Sequence, residues 1–290
     1  MKYSSIDQWK SKMKQLAKKN NVSVQEMQQR FILEEFANKI SKSNYKSSIV
    51  LKGGFVVSAL LGIDERKTRD IDFTFSSTVY NKSQIEYVLN AVINSEYDTF
   101  FSYSIEYIRE EQIDDNYPGY VAMLVAKHSD SILKMKIDIS NNTLIYPDAI
   151  ENKLRSFIND EEISVYTYSI ENIIAEKFET TLDRGEFNTR MRDLFDIYLL
   201  FRFNYDLIDE KILRKSIIEV SKDRDTVDNL FEVDEIIDEL INSKTFNENF
   251  NRYKSKNYPN LDVGLNDIFE VFSEINEIIV KEHSYLEYSM

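Results

Sequence analysis

Residues 51–75 read LKGGFVVSALLGIDERKTRDIDFTF, and this stretch indicates both an architecture and a chemistry. Ser48–Lys52 is typical of a short buried strand, Gly53-Gly54 interrupts it, and Phe55–Leu61 has the character of a helix. Glycines at such a junction let the backbone come close to an anion, and the amides of the following helix N-terminus point at it. Asp70–Phe75 then alternates polar and apolar residues, as a strand with one polar face does. The stretch therefore predicts a phosphate-binding turn followed by a strand that carries acids.

The acids of this strand predict a metal site. Asp70 and Asp72 are two positions apart, so their side chains project from the same face of the strand. Their carboxylates repel each other unless a cation lies between them, which favours a hard divalent metal ion. Asp138 lies in a second alternating segment, Ile132–Ser140, where a lone buried acid would be costly. We expect Asp138 to be the third ligand, although an Asp-x-Asp alone also occurs among ordinary turn or surface acids.

The composition narrows the chemistry further. With no Cys and only two His among 290 residues, the chain has no disulfides, no Cys-ligated metals, no thiol nucleophile and no multi-histidine site of its own. A bound metal would need oxygen ligands, as magnesium, manganese or calcium do. The N-terminus is charged and lacks the apolar segment of a signal peptide, and no apolar run is long enough for a membrane span. We therefore expect a cytoplasmic protein without a membrane partner.

The hydrophobic pattern changes its period near residue 150, and this change divides the chain into two parts. Strands are expected in the first part, at 48–52, 70–75, 101–110, 119–127 and 132–140, together with helices at 6–19, from Ser23, at 55–61 and at 81–95. The first of these helices has Trp9, Met13 and Leu16 on one apolar stripe, and a capping box of Ser23 with Glu26 begins the second. From residue 150 the pattern becomes helical, with helices expected at 169–183, 192–203, 209–221, 228–242 and 262–282. The chain is thus predicted to be an α+β protein, with a sheet domain over residues 1–150 and a helical domain over residues 151–290.

Charge is distributed unevenly between these parts. The chain has a net charge of −14, and residues 151–290, with 17 basic and 31 acidic residues, carry all of it. Residues 1–69 have 14 basic and 6 acidic residues, a net of +8. Such a run is often only the solvated faces of helices. The alternative is a basic lobe that receives a polyanion.

The chain carries four motifs in order: Gly53-Gly54 opening a helix, Asp70-Ile-Asp72 on the next strand, Ala175-Glu-Lys177-Phe on a helix, and Arg192-Asp193-Leu-Phe-Asp196 on another. Together they resemble the AbiEii/AbiGii-type nucleotidyltransferase toxins, within the DNA polymerase β-like nucleotidyltransferase superfamily. Leu51-Lys52 and the basic approach Arg66-Lys-Thr-Arg69 are also similar to the AbiEii pattern. The match covers about residues 23–203, whereas residues 204–290 resemble the family only in being helical.

The resemblance implies a fold and a set of site residues. It implies a mixed nucleotidyltransferase-fold sheet with flanking helices, and a helical domain that completes the active site with Lys177 and Asp193. The implied metal ligands for magnesium, or else manganese, are Asp70, Asp72 and Asp138, and the implied nucleotide-binding residues are Lys52, Gly53, Gly54, Ser58, Arg69 and Lys177. Taken without the family, Lys177 is also consistent with a solvated helix lysine. Asp193 and Asp196 are also consistent with ordinary capping acids or with intrahelical partners of Arg190 or Arg192.

The resemblance also implies an activity. The expected protein is a toxin of a bacterial toxin–antitoxin or abortive phage infection system that transfers a nucleotide from an NTP, GTP being one candidate, to RNA, with tRNA favoured. Its antitoxin would be a winged-helix repressor that need not touch it. Two alternatives stay open: a nucleotidyltransferase that modifies a protein or a small molecule, and a catalytically silent nucleotide-binding protein.

Overall fold

The chain of the computed structural model divides into two units, Met1–Tyr168 and Ser169–Met290. The structure describes residues 3–62, 66–76, 79–111, 119–141, 143–159 and 161–281. Strands of the first unit are β1 (Ile49–Lys52), β2 (Asp70–Phe75), β3 (Ser102–Glu111), β4 (Gly119–His128), β5 (Ser131–Ser140), β6 (Ile150–Arg155) and β7 (Glu162–Thr167). Its helices are α1 (Ile6–Lys19), α2 (Val24–Lys42), α3 (Gly53–Leu61) and α4 (Lys82–Ile93).

The described strands of this unit form one mixed sheet in the order β3-β4-β5-β2-β1-β7-β6. At its centre β2 pairs with β1 in antiparallel fashion and with β5 in parallel fashion. On the other side of β1, β7 runs parallel to it. The two acidic segments of the sequence, on β2 and β5, are therefore direct neighbours in the middle of the sheet.

Local sequence signals account for the first two helices. Ser23 Oγ accepts from the Glu26 amide at 3.2 Å, and Glu26 Oε2 accepts from the Ser23 amide at 2.9 Å, so the predicted capping box starts α2. On α1 the predicted apolar stripe of Trp9, Met13 and Leu16 is buried. The Trp9 ring meets the Phe31 ring of α2 edge-on at 5.5 Å between centroids, which joins the two helices.

A buried ion pair ties α2 to the turn-bearing helix α3. Arg30 and Glu34 are 1 % and 3 % exposed, with Arg30 Nε 2.7 Å from Glu34 Oε1. The Arg30 guanidinium lies 4.3 Å from the Phe55 ring centroid, and its Nη1 donates to Ser58 Oγ at 3.0 Å. Glu34 in turn accepts from the Ser156 hydroxyl at 2.5 Å. The pair thus connects α2, α3 and the segment that follows β6.

The second unit is helical in the residues that the structure describes. Its helices are α5 (Ile170–Arg184), α6 (Met191–Phe203), α7 (Glu210–Asp223), α8 (Val233–Asn242), α9 (Lys244–Asn257) and α10 (Leu265–Val280). Aromatic stacking holds these helices together. Phe178 stacks on Phe272 of α10 at 5.1 Å, and Phe195 of α6 stacks on Phe250 of α9 at 5.3 Å. None of the described helices is both long and apolar enough to cross a bilayer.

The structure confirms the α+β class and the mixed sheet, but the sequence-based boundaries missed three elements. Strands β6 and β7 lie where helices were expected to begin, so the helical region starts at Ser169 rather than at residue 151. In β6 only Leu154 is buried, which leaves no alternating pattern to recognise. Helix α9 was also missed, because only Phe246 and Phe250 of its residues are buried.

Candidate active site

The turn between β1 and α3 brings backbone next to a carboxylate. Gly53 has φ +62°, a conformation that favours glycine, and a Cβ built there would lie 2.3 Å from Asp72 Oδ2. The Gly54 amide donates to the same Asp72 oxygen at 3.3 Å. Among the described residues, no side chain caps the first turn of α3. The close approach of this turn to Asp72 therefore depends on Gly53 having no side chain, and its anion-binding role stays a prediction.

Replacing Gly53 by Ala is expected to cost more stability than replacing Gly185. Both glycines have positive φ, which costs an alanine about 1–2 kcal/mol, but a Cβ on Gly185 meets no atom within 4 Å. Gly53→Ala must also push the Asp72 carboxylate aside, for a total loss of roughly 3 kcal/mol. Urea unfolding of the two variants beside the wild-type protein measures the difference. Equal losses would mean that Asp72 moves away freely.

Three aspartates share one face of the sheet around this turn. In the register of β2 and β5, Asp72 is paired with Asp138 and Asp70 with Lys136. Each carboxylate has its own polar neighbour: Thr68 Oγ1 donates to Asp70 Oδ1 at 3.0 Å, and Lys136 Nζ lies 2.8 Å from Asp138 Oδ1. The structure thus brings together the three acids that the sequence selected, beside the glycine turn.

The electrostatics of this face favour a further cation. Burial raises the pKa of Asp72 to about 7, with contributions from the charges of Asp70 and Asp138, while Lys52 and the Gly54 amide oppose the rise. Burial also raises the pKa of Asp138, against the lowering effect of Lys136. Ionising all three acids together is therefore costly in the protein as it stands. A bound cation would remove that cost.

The donor set fits magnesium or manganese in its chemistry. Asp70, Asp72 and Asp138 offer only carboxylate oxygens, which these ions prefer, and they occupy adjacent positions on neighbouring strands. Across the described ranges, no three His, Asp or Glu side chains already form a set of metal ligands. The three side chains would therefore have to turn from their present partners towards a common ion.

The other predicted nucleotide-binding residues of the first unit differ in exposure. Lys52 is paired with Asp72 in the register of β1 and β2, and its Nζ lies 5.2 Å from the Tyr168 ring centroid. Arg69 is exposed directly before β2. Ser58, in contrast, is fully buried and its hydroxyl accepts from Arg30. The contact of Ser58 with a triphosphate stays a prediction, and it would require this buried hydroxyl to become accessible.

The second unit gathers its two family motifs into a cluster. Lys177 of α5 forms ion pairs with both Asp193 and Asp196 of α6, the latter at 3.0 Å. Lys177 and Asp193 are each 13 % exposed, whereas Asp196 is 0 % exposed. For Asp196 we predicted a capping acid or an intrahelical pair with Arg190 or Arg192, so its ion pair with another helix was missed. A carboxylate within the apolar run Leu-Phe-Asp-Ile-Tyr-Leu-Leu was the signal that it needs a buried partner.

Comparisons with solved structures give nucleotidyltransferase descriptions at low sequence identity. A Helicobacter pylori protein provisionally described as a nucleotidyltransferase is 17% identical, with 91% of this chain and 99% of that chain covered and a TM-score of 0.47. JHP933 from H. pylori is 17% identical, with 92% of this chain and 98% of that chain covered and a TM-score of 0.49. An antigenic nucleotidyltransferase-like protein from Paracoccidioides brasiliensis is 15% identical, with 69% of this chain and 90% of that chain covered and a TM-score of 0.39. A search of curated proteins found no match.

A family model gives a more direct result. The model of the nucleotidyl transferase AbiEii toxin, type IV toxin–antitoxin system, matches residues 36–271. That range includes the glycine turn, the three aspartates, and the cluster of Lys177, Asp193 and Asp196. Because it spans most of the 290 residues, the chain belongs to the AbiEii nucleotidyltransferase toxin family of type IV toxin–antitoxin systems.

Proposed function

We propose that this toxin-family nucleotidyltransferase uses magnesium to transfer an NMP group from an NTP, GTP being one candidate, to an RNA acceptor, with tRNA favoured. One observation carries the proposal. Asp72 lies beside Asp138 in the sheet and accepts from the amide of Gly54, so acids and an anion-binding turn meet at one place. Nucleotidyl transfer needs both, because the metal ions and the triphosphate have to be held together.

The residues have distinct parts in this reaction. Asp70, Asp72 and Asp138 would hold the metal, which when bound supplies charge stabilisation and activation of the attacking hydroxyl. Amides of the Gly53-Gly54 turn would hold triphosphate oxygens, and Lys52 and Arg69 would add positive charge. The acceptor hydroxyl loses its proton as its oxygen bonds to the α-phosphorus. The bond from that phosphorus to the bridging oxygen breaks, and pyrophosphate leaves with the electron pair.

Lys177 is proposed to neutralise charge on the triphosphate. The support is its place in the family motif and its double ion pair with Asp193 and Asp196, which holds the ammonium in one position. Asp193 and Asp196 are accordingly proposed as residues that orient Lys177. An ordinary solvated helix lysine would not be 13 % exposed between two acids.

The first helix supports RNA as the acceptor. Lys10, Lys14 and Lys18 follow each other at four-residue intervals along one side of α1, about 6 Å apart along the axis, and all three are exposed. Among the described residues none of the three belongs to an ion pair. In a chain of net charge −14 this row is a local positive surface, and a phosphate backbone is its natural complement.

Neutralising this row is expected to weaken RNA binding and its salt dependence. In the variant with Lys10, Lys14 and Lys18 replaced by Gln, the slope of log K against log salt concentration should fall by about 2, since each phosphate contact to a single strand contributes about 0.7. Fluorescence anisotropy of labelled tRNA, recorded at salt concentrations from about 50 to about 300 mM, measures this slope.

A matched control replaces three exposed lysines of the second unit, Lys211, Lys244 and Lys256, by Gln. The control changes the net charge by the same amount but leaves α1 intact. We expect its slope to equal that of the wild-type protein. If both variants lose the same affinity and slope, general charge rather than the α1 row explains RNA binding.

Transfer of label from each α-labelled NTP into total bacterial RNA tests the proposed reaction. A labelled band of tRNA size that requires magnesium would support it and name the donor. Label on protein, or on an added small molecule, would favour the same chemistry with another acceptor. If nothing is labelled while an NTP raises the melting temperature, the protein is a nucleotide-binding module.

Membership of a type IV family implies an antitoxin partner as well as a nucleotide substrate. We propose that the antitoxin is a winged-helix repressor that acts without touching the toxin, and that the pair serves phage defence in the cytoplasm. Pull-down of the tagged toxin from cells that express both genes tests direct contact. Recovery of the antitoxin in stoichiometric amount would contradict action at a distance.

A further inference from the structure

A lysine lies among the three acids of the candidate site. Lys136 is two residues before Asp138 on β5, so the two side chains project from the same face. Its register partner on β2 is Asp70, and its Nζ lies 2.8 Å from Asp138 Oδ1. The Asp138 side chain is only 23 % exposed. The carboxylate expected to bind metal is thus already engaged by an ammonium.

The surroundings of Lys136 hold it there. Asp138 contacts the ammonium directly, and Asp70, the register partner of Lys136, carries a second negative charge on the neighbouring strand. An ammonium and a divalent ion cannot both contact the same carboxylate without repelling each other strongly. Any ion that binds the other oxygen of Asp138 must therefore overcome the repulsion of Lys136 or displace it.

We propose that Lys136 is an internal counter-ion that competes with the divalent metal for Asp138. It relieves the repulsion among the acids when no metal is bound, and it makes metal binding without nucleotide weak. The metal then binds tightly only together with a triphosphate, whose own charge offsets the ammonium. This inference rests on the proposed function, since it assigns a competitor at the proposed metal site. Lys136 is here a positioning residue and does not need to touch the substrate.

Replacement of Lys136 by Met in the full chain tests the competition. Without nucleotide, Mn²⁺ should bind Lys136→Met about tenfold more tightly than the wild-type protein, since removal of a partly exposed ion pair and of one like charge is worth about one power of ten. Isothermal titration calorimetry at pH 8 measures the affinity. Lys136→Arg, which keeps the positive charge, should bind Mn²⁺ as weakly as the wild-type protein does.

The same strand offers a matched control. Lys134 lies two residues before Lys136 on the same face of β5. Its Nζ is 2.6 Å from Glu106 Oε1, and its side chain is 55 % exposed. Lys134→Met removes one charge and one ion pair of the same kind but frees none of the three aspartates. Its affinity for Mn²⁺ should equal that of the wild-type protein.

The stability of the metal-free proteins is a second readout. The melting temperature of Lys136→Met should be lower than that of the wild-type protein without metal, and saturating Mn²⁺ should raise it by a larger increment. Lys136→Gln, which is polar and of similar length, should behave in the same way. It thus serves as the second variant if Met disturbs the strand.

The possible failures can be told apart. If Lys136→Met and Lys136→Gln bind Mn²⁺ no more tightly than the wild-type protein does, the competition is wrong, although the proposed metal site stands. If Lys134→Met gains as much affinity as Lys136→Met, net charge explains the gain and the competition is again overturned. If no variant binds Mn²⁺ even with a non-hydrolysable NTP analogue present, the proposed metal site itself is wrong.

Discussion

Asp72→Asn is expected to abolish nucleotidyl transfer while making the metal-free protein more stable. Asp72 contacts both parts of the proposed site. It is paired with Asp138 of the proposed metal site, and it accepts from the Gly54 amide of the glycine turn. Asparagine keeps the shape and a carbonyl oxygen for that amide but loses the negative charge that a metal ion needs. The rate of transfer should therefore fall by about 100-fold or more. The label-transfer assay measures this loss.

The gain in stability should depend on pH in a defined direction. In the folded protein the pKa of Asp72 is raised from 3.8 to about 7, chiefly by burial and then by the charges of Asp70 and Asp138. Between these two values the folded state retains a proton that the unfolded state has lost, so the wild-type protein loses stability as pH rises. The asparagine of the variant does not titrate. The advantage of the variant should thus be small near pH 4 and complete above about pH 7, where a difference of about three pKa units corresponds to at most about 4 kcal/mol.

Urea unfolding of both proteins at about pH 4, 6 and 8, which covers the window of roughly three units between the two pKa values, measures the difference. Asp130→Asn is the control, because Asp130 is exposed in the turn before β5 and its replacement should change neither activity nor stability. If Asp72→Asn is less stable than the wild-type protein at pH 8, the hydrogen bond from Gly54 outweighs the repulsion among the acids. Retained transfer activity would contradict the proposed role of Asp72.

Local signals predicted the parts of the fold that depend on a few neighbouring residues. The capping box of Ser23 and Glu26 and the alternation of Asp70–Phe75 act within one or two turns or one strand face, so the sequence alone shows them. Strand β7 has alternating buried residues, but its place in the sheet depends on pairing with β1, more than 100 residues earlier in the chain. Such distant pairing cannot be read from local periodicity.

The candidate site shows the same division. The shared face of Asp70 and Asp72 follows from strand geometry, and the cost of burying Asp138 alone indicated a nearby partner. The sequence could not predict which polar groups face these acids, because Lys136 and Thr68 contact them only through the observed strand register and turn. The resemblance to the family assigned Ser58 to the triphosphate. The contact of Ser58 with Arg30, 28 positions away, could not be foreseen.

Arg30→Met is expected to cause the largest loss of stability among single substitutions in the first unit that we consider. Arg30 is 1 % exposed, and its guanidinium lies between the Phe55 and Phe157 rings, 4.3 and 4.9 Å from their centroids. Methionine fills much of this volume but leaves the Glu34 carboxylate buried without its cation. Breaking such a pair from one side costs about 3–5 kcal/mol, which urea unfolding would detect readily.

The double variant Arg30→Met with Glu34→Gln separates the charge effect from the packing effect. The glutamine that replaces Glu34 carries no charge; its one carbonyl oxygen can still accept from the Phe157 amide, while its amide nitrogen faces Ser156 Oγ and can donate to it. If the unpaired carboxylate causes the loss, the second substitution should restore at least about half of it, as exchanges of whole buried pairs are often nearly neutral. If the double variant is as unstable as Arg30→Met, the guanidinium acts mainly through its stacking on the two rings and its bond to Ser58. In that case α3, and with it the glycine turn at its first residues, depends on Arg30 for its packing rather than on the buried charge.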